Sequence, residues 1–338
     1  PRRTASGRTR NAMSAGQNTD TYIYLAARVR QNSGFLSTFA GNFKQRDMGK
    51  WKKRKAPRWF VPAGLEPTET DRIIMEWEAR GRLVPTPDLI RTKEQIEGIR
   101  RAGVLNTAVL DAVQEKIREG LSTAEIDRIV YDYTTRHGGI PAPLHYEGFP
   151  NSCCTSINDV VCHGIPSEDD ILEEGDIINV DCTTILDGYY ADASRMFVIG
   201  RTTPERQRLV DVAWECLKTG ERVCREPFVF VGDLGNAIAR HAHENGYTVV
   251  RDLCGHGVGL QFHEDPDVEH YGRKGSGMLL VPGMTFTIEP MINGGDWHVC
   301  GDEEDPTEWI VLTEDGEDSA QWEHTFLMTE NGVEVLTH

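Results

Sequence analysis

The stretch 177-IINVDCTTIL-186, 187-DG-188, 189-YYADASRMFVI-199 decides the architecture. Two apolar runs flank Asp187-Gly188, a dipeptide that favours the two-residue turn of a β-hairpin because both residues tolerate positive φ. With these two as the turn, residue 186 faces 189 and 183 faces 192. Side chains alternate between faces along a strand, so Asp181 and Thr183 share a face with Asp192. Asp181 is then the diagonal neighbour of Asp192, at about 7–8 Å or somewhat less between β-carbons. Two acids on an apolar sheet face repel one another unless cations lie between them.

The same anomaly recurs downstream. His256 (in CGHGVG), Glu289 (in TFTIEP) and Glu323 (in AQWEHTF) also sit in strand-like apolar runs. None of the five has Lys or Arg as an immediate neighbour. A carboxylate in such a run is expected to be buried, and burial is costly without a partner. The natural partner here is a metal cation. One imidazole and four carboxylates suit Mn, Fe, Co or Zn better than a thiolate-selective metal. Pro290 stops the ladder directly after Glu289. Two further histidines, His163 (in VCHGIP) and His263 (in FHEDP), do not fit the H-E-x-x-H zinc-protease pattern.

The 338 residues can hold one large α/β domain or two ordinary ones, and 39% hydrophobic content supports a proper core. No apolar run approaches the ~20 residues of a membrane span. The eight cysteines include no C-x-x-C pair and read as free thiols in a reducing compartment, which places the protein in the cytoplasm. The net charge of -17 hides an asymmetry: 14 of the 36 Lys and Arg lie in residues 1–58, against only Asp20 and Asp47. Within this arm, residues 50–58 (KWKKRKAPR) are polybasic, with Trp51 and Trp59 nearby. Three readings of the arm stay open: docking on ribosomal RNA, a transit-type segment, or upstream sequence without a role. Residues 1–47 read as irregular, and Met48 opens a more protein-like stretch.

A short helix is predicted over 68–80, and the catalytic body over 86–338. Helices are predicted over 92–117, with Thr92 as cap, and over 122–137, where Ser122 and Glu125 form a capping box. Strands then dominate from 151 to 199. Two more helices, over 204–225 and 232–245, precede strand-like runs at 247–253, 284–292, 308–312 and 321–328. This two-round order predicts an internally duplicated α/β domain.

The motifs CHGIP, NVD, the Asp192 segment, GHGVG, FHE, FTIEP and QWEHT, in this order and at this spacing, resemble the type I methionine aminopeptidases. The match runs from about Thr86 to Val335. The resemblance implies the pita-bread fold, an antiparallel sheet core flanked by helices, here with a basic N-terminal extension over residues 1–85. It implies removal of the initiator methionine from nascent chains by a hydroxide bridging two divalent metals. Asp181, Asp192, His256, Glu289 and Glu323 are then the metal ligands, with Asp192 and Glu323 bridging. His163, His263 and Glu289 take the catalytic roles: His163 contacts the substrate amide, and His263 stabilises the tetrahedral intermediate. Tyr146, Phe149, Cys154, Phe262 and Trp309 form the methionine pocket. Pro143 departs from the Cys that many bacterial members carry at this place. The stretch 296–323 holds eleven acids and no Lys or Arg, so the pocket rim is unusually negative. Two competing readings are an Xaa-Pro aminopeptidase or prolidase of the same fold, and a ribosome- or RNA-binding pita-bread protein. The former is disfavoured by the short basic N-terminal region, the latter by five intact ligands.

Overall fold

The computed structural model describes residues 59–61 and 64–337. The polybasic segment 50–58 and the irregular reading of 1–47 lie outside the described residues. Among the described residues, no helix is long and apolar enough to cross a membrane.

Among the described residues five α-helices run in chain order: α1 Glu69–Ala79, α2 Lys93–Gln114, α3 Thr123–Arg136, α4 Pro204–Val223 and α5 Val231–Glu244. Nine strands build the central sheet: β1 Ile140–Pro141, β2 Cys154–Ile157, β3 Ile177–Leu186, β4 Tyr189–Val198, β5 Gly255–Gly257, β6 Glu264–Val268, β7 Thr285–Ile288, β8 Glu323–Thr329 and β9 Gly332–Val335. The order is β1-β3-β4-β8-β7-β5-β6, with β2 also on β3 and β9 also on β8, and every pairing is antiparallel. This is the curled sheet of the pita-bread fold.

The hairpin register is the one that Asp187-Gly188 dictates. Leu186 faces Tyr189 and Thr183 faces Asp192. Asp187 and Gly188 have φ of 53° and 83°, so both turn residues occupy the left-handed region that this dipeptide tolerates.

Helix termini follow local chemistry. Thr68, Thr92 and Ser122 each accept the backbone N–H three residues on, and the acid or amide at that position reaches back to the cap. Within the strand-rich span 151–199, residues 163–176 form a loop with one isolated bridge, between Ile171 and Ser122. Their backbone is held at the start of α3, where Thr123 Oγ1 donates to the Ser167 carbonyl and accepts the Ser167 N–H.

Among the described residues two large apolar clusters back the sheet, one for each round of helices. Val109, Leu110 and Val113 of α2 and Ile126 and Val130 of α3 cover Ile178, Val180 and Cys182 of β3. Val212 and Leu217 of α4 and Leu234 and Ile238 of α5 cover Phe286 and Ile288 of β7 and Phe326 of β8. Alternation does the sorting: even-numbered residues of β3 face the helices, and odd-numbered Asn179, Asp181 and Thr183 face the other way. Helix α1 joins the second cluster through Ile74, and Trp59 and Trp77 pack against it.

Backbone approaches closely where α2 meets the C-terminal segment. A β-carbon on Gly103 would stand 2.2 Å from the Leu336 carbonyl oxygen. Gly103→Ala must push the helix off that backbone. Overpacking of this kind costs about 1–3 kcal/mol, which predicts a melting temperature lower by about 3–10 °C in a thermal scan; an unchanged melt would contradict the contact.

Candidate active site

The face of the sheet away from the helices gathers the acids. Asp181 lies opposite Cys154 on one side and Ser194 on the other, and Ser194 lies opposite Glu323. Asp181 and Glu323 therefore flank Ser194 in one row across three strands. One step along, Thr183 faces Asp192, and its hydroxyl donates to Asp192 Oδ1 at 2.8 Å. Strand β7 sets Thr287 opposite Thr325, and Glu289 follows just beyond the strand end.

Thr287 links two functional side chains. Its Oγ1 accepts the His256 N–H at 3.0 Å and donates to Glu289 Oε1 at 2.7 Å. Gln321 Nε2 donates to Glu289 Oε2 at 3.1 Å, and the Glu289 N–H donates to His270 Nε2 at 3.0 Å. The Glu289 carboxylate is thus oriented from both sides and its backbone is anchored as well.

His256 supplies the deciding geometry. Its Nδ1 lies 2.9 Å from the Gly257 carbonyl, which can only accept, so Nδ1 carries the proton. Burial drives its pKa down to about 4, so the ring is neutral near pH 7. Nε2 then presents a bare lone pair, 3.6 Å from Asp192 Oδ2 and 3.5 Å from Glu289 Oε1. These atoms are acceptors facing acceptors. One ligand atom each from Asp192, His256 and Glu323 lie within 4.8 Å of one another.

The electrostatics agree. Asp192 and Glu323 are almost wholly buried, and neither Glu323 oxygen has a donor. Burial first, and neighbouring carboxylates second, push both pKa values far above the ordinary carboxylate range. Burial also pushes Asp181 up to about 7 and Glu289 up to about 8. Buried carboxylates with uncharged donors or, at Glu323, none, a lone pair aimed among them and no Lys or Arg in their hydrogen bonds and ion pairs are the chemistry of a divalent-cation site.

The aromatic residues lie beside it. Phe149 meets Trp309 edge-on at 5.4 Å between centroids, and His163 meets Trp309 edge-on at 5.5 Å. Tyr146 packs on Phe262 at 4.8 Å, Phe262 stacks on His263 at 4.1 Å, and His263 touches His256 at 4.3 Å. Cys154 reaches the same place through its register opposite Asp181. His163 is held at φ 57°, with Nδ1 buried and without a hydrogen-bond partner. Burial lowers its pKa to about 4 and also holds that of His263 well below the usual imidazole value. All twelve residues singled out in the sequence therefore gather around one region.

Several supporting residues escaped the sequence reading. His270 sits at the Glu289 backbone, and nothing near it in sequence marks that contact. Asp305 shapes the acidic stretch: its carboxylate accepts from Thr307 Oγ1 and from the backbone N–H groups of Thr307, Trp309 and Ile310. These bonds fix the turn that presents Trp309. An Asp before Pro and Thr is a local turn signal that could have revealed it. Arg91 forms a buried ion pair with Glu264 at 2.6 Å and donates to Thr285 Oγ1. Since Glu264 Oε1 also accepts the Leu260 N–H, this pair braces the segment that carries Phe262 and His263.

Comparison with known proteins gives this geometry a lineage. Residues 97–330 match metallopeptidase family M24. The methionine aminopeptidase A of Synechocystis sp. is 47% identical over 246 residues, covering 73% of this chain and 96% of that protein. The chain belongs to family M24, among its methionine aminopeptidases. The methionine aminopeptidase 1A of Arabidopsis thaliana is 38% identical and covers 100% of this chain and 88% of its own length. The crystal structure of methionine aminopeptidase from Rickettsia prowazekii superposes with a TM-score of 0.71 at 42% identity, over 74% of this chain and 99% of that one. A prolidase from Pyrococcus horikoshii OT3 aligns at 22% identity and TM-score 0.58, over 74% of this chain and 63% of that one, a likeness of fold alone.

Membership implies divalent metal, and the donor set fits it. A carboxyl whose pKa is raised in the folded state stabilises the fold less as pH rises through that value. With ordinary carboxylate values of about 4 in the unfolded chain, and Asp181 at about 7 and Glu289 at about 8 in the fold, metal-free protein should lose stability from about pH 4 up to about pH 8 and level off above it. Chelator-treated protein is expected to melt about 5 °C lower at pH 8.5 than at pH 6, and added Mn or Co should restore it, more so at the higher pH. A metal-free melt that is flat with pH, or unmoved by cation, would contradict the assignment.

Proposed function

We propose that this chain removes the N-terminal methionine from nascent proteins and peptides, using divalent cations held by Asp181, Asp192, His256, Glu289 and Glu323. The observation that carries the reading is the bare Nε2 of His256 among the oxygens of Asp192, Glu289 and Glu323, beside the aromatic pocket. Two ions, each Co, Mn, Fe or Zn, suit four carboxylates and one imidazole. A cation bound there supplies Lewis acidity, which makes water nucleophilic near neutral pH and polarises a carbonyl.

The chain's own residues do the rest. Glu289, oriented by Thr287 and Gln321, accepts the water proton and returns it to the leaving amine. His263, as a neutral donor, offsets charge that develops on the scissile carbonyl oxygen. His163, whose buried Nδ1 has no hydrogen-bond partner among the described residues, pairs with the substrate amide. Tyr146, Phe149, Cys154, Phe262 and Trp309 receive the methionine side chain. An unbranched thioether adapts to such a lining, and polar side chains are rejected by the cost of desolvation. In this reading residues 86–338 are the catalytic domain, 1–85 are an extension, and the enzyme works in the cytoplasm. The basic arm 50–58 contacts the ribosome, where substrate emerges.

The leading test is a peptide library offered to enzyme loaded with each metal in turn. Release of methionine from Met-Ala-Ser peptides is expected, with Xaa-Pro peptides left intact; the reverse preference would transfer the chain to the prolidase-like reading. Asp192→Asn should lose bound metal by elemental analysis, and full occupancy would refute its role as ligand. For the arm, co-sedimentation with ribosomes should weaken as salt rises and vanish on deleting residues 1–58; binding that survives either change would dismiss the contact.

A further inference from the structure

Tyr146 carries a hydroxyl that an apolar pocket does not need. Its neighbours Phe149 and Phe262 line the same place with plain rings. A hydroxyl in such surroundings is costly to desolvate unless it finds a partner. The partner is His263: the phenol oxygen lies 3.1 Å from His263 Nδ1. The ring of Tyr146 also packs on Phe262 and against His263, at 4.8 and 5.3 Å between centroids. One side chain thus offers an apolar face to the pocket and a polar tip to an imidazole.

The loop is built to hold it there. His145 and Glu147, on either side of Tyr146, both adopt left-handed φ values of 69° and 47°. The Tyr146 N–H donates to the Pro143 carbonyl, and the His145 N–H to that of Phe149. Such conformations are strained for residues with side chains and persist where surrounding structure imposes them.

We infer that Tyr146 is a positioning residue: its O–H donates to His263 Nδ1 and thereby holds the neutral imidazole as the Nε2–H tautomer. A neutral imidazole has one N–H, and a donor at one nitrogen sends that proton to the other. Burial supports both states, pushing the phenol up to about 12 and keeping His263 uncharged. His263 then always offers Nε2–H as a donor, the form required to meet a developing oxyanion. Without the hydroxyl, Tyr146 no longer imposes the acceptor role on Nδ1. The inference rests on the peptidase reading above, with His263 facing the scissile carbonyl.

Tyr146→Phe removes the hydroxyl and keeps the ring. With saturating metal and a Met-Ala-Ser peptide, kcat is expected to fall about tenfold, the equivalent of one hydrogen bond. KM and metal content should stay within about twofold. Introduced into His263→Ala, the same change should alter kcat less than about twofold, because both act through one group. A readout independent of turnover is the imidazole 15N spectrum of labelled, metal-free protein: His263 should report a single Nε2–H tautomer, which Tyr146→Phe converts to a mixture. An unchanged kcat, a rise in KM alone, an equal loss in the His263→Ala background, or an Nδ1–H signal in the parent protein would each overturn the inference. If the parent enzyme releases no methionine at all, the peptidase reading fails instead, and the tautomer measurement still decides the contact.

Discussion

Four carboxylates held on one buried sheet face repel one another, and that repulsion constrains the rest of the molecule. In water each would be ionised and screened; here burial raises the cost of every charge and proximity raises it again. Two solutions exist: the acids keep protons, or cations enter. The fold accommodates both by leaving Glu323 without a donor and by aiming a neutral imidazole lone pair into the group. A protein optimised for stability alone would place aliphatic side chains on this face. The strained arrangement is tolerated because two apolar clusters, one behind each half of the sheet, hold the strands in place.

The hairpin that starts this arrangement was legible before any coordinates. Asp187-Gly188 set the register, register set the faces, and alternation separated Asp181, Thr183 and Asp192 from Ile178, Val180 and Cys182. The helix starts were equally plain, since Thr92 and Ser122 act within three residues of themselves. Convergence of β3 and β4 with β7 and β8 was a different matter. Nothing in spacing says that Glu323 lies opposite Ser194, a pairing more than a hundred residues apart; the family resemblance supplied that link.

What stayed illegible shares one physical character. His270 on the Glu289 backbone, Arg91 on Glu264 and Tyr146 on His263 are side-chain contacts between distant segments, and no periodicity encodes them. The loop 163–176 interrupts the strand-rich span for a related reason: its backbone is committed to Thr123 and to the start of α3 rather than to a ladder. Asp305 is the exception, a purely local turn former that acts over two to five residues. The abundance of acids around it hid its individual role.

The histidines complete the logic of the repelling acids. His270 is buried and His163, His256 and His263 are largely enclosed, and the loss of solvation keeps each of them neutral. Imidazolium ions here would neutralise the carboxylates from within and compete with a cation for the same oxygens. Neutral rings do the opposite, because each offers one donor and one acceptor without adding charge. The one fully buried guanidinium described near this region, Arg91, is matched by its own carboxylate, Glu264, outside the five proposed ligands. The site's unmet charge is therefore left for a cation from solution, and the proton on each ring becomes a matter of which neighbour it meets. Orientation by uncharged donors such as Thr183, Thr287 and Gln321 follows from the same requirement: they fix the acids in place without satisfying their charge.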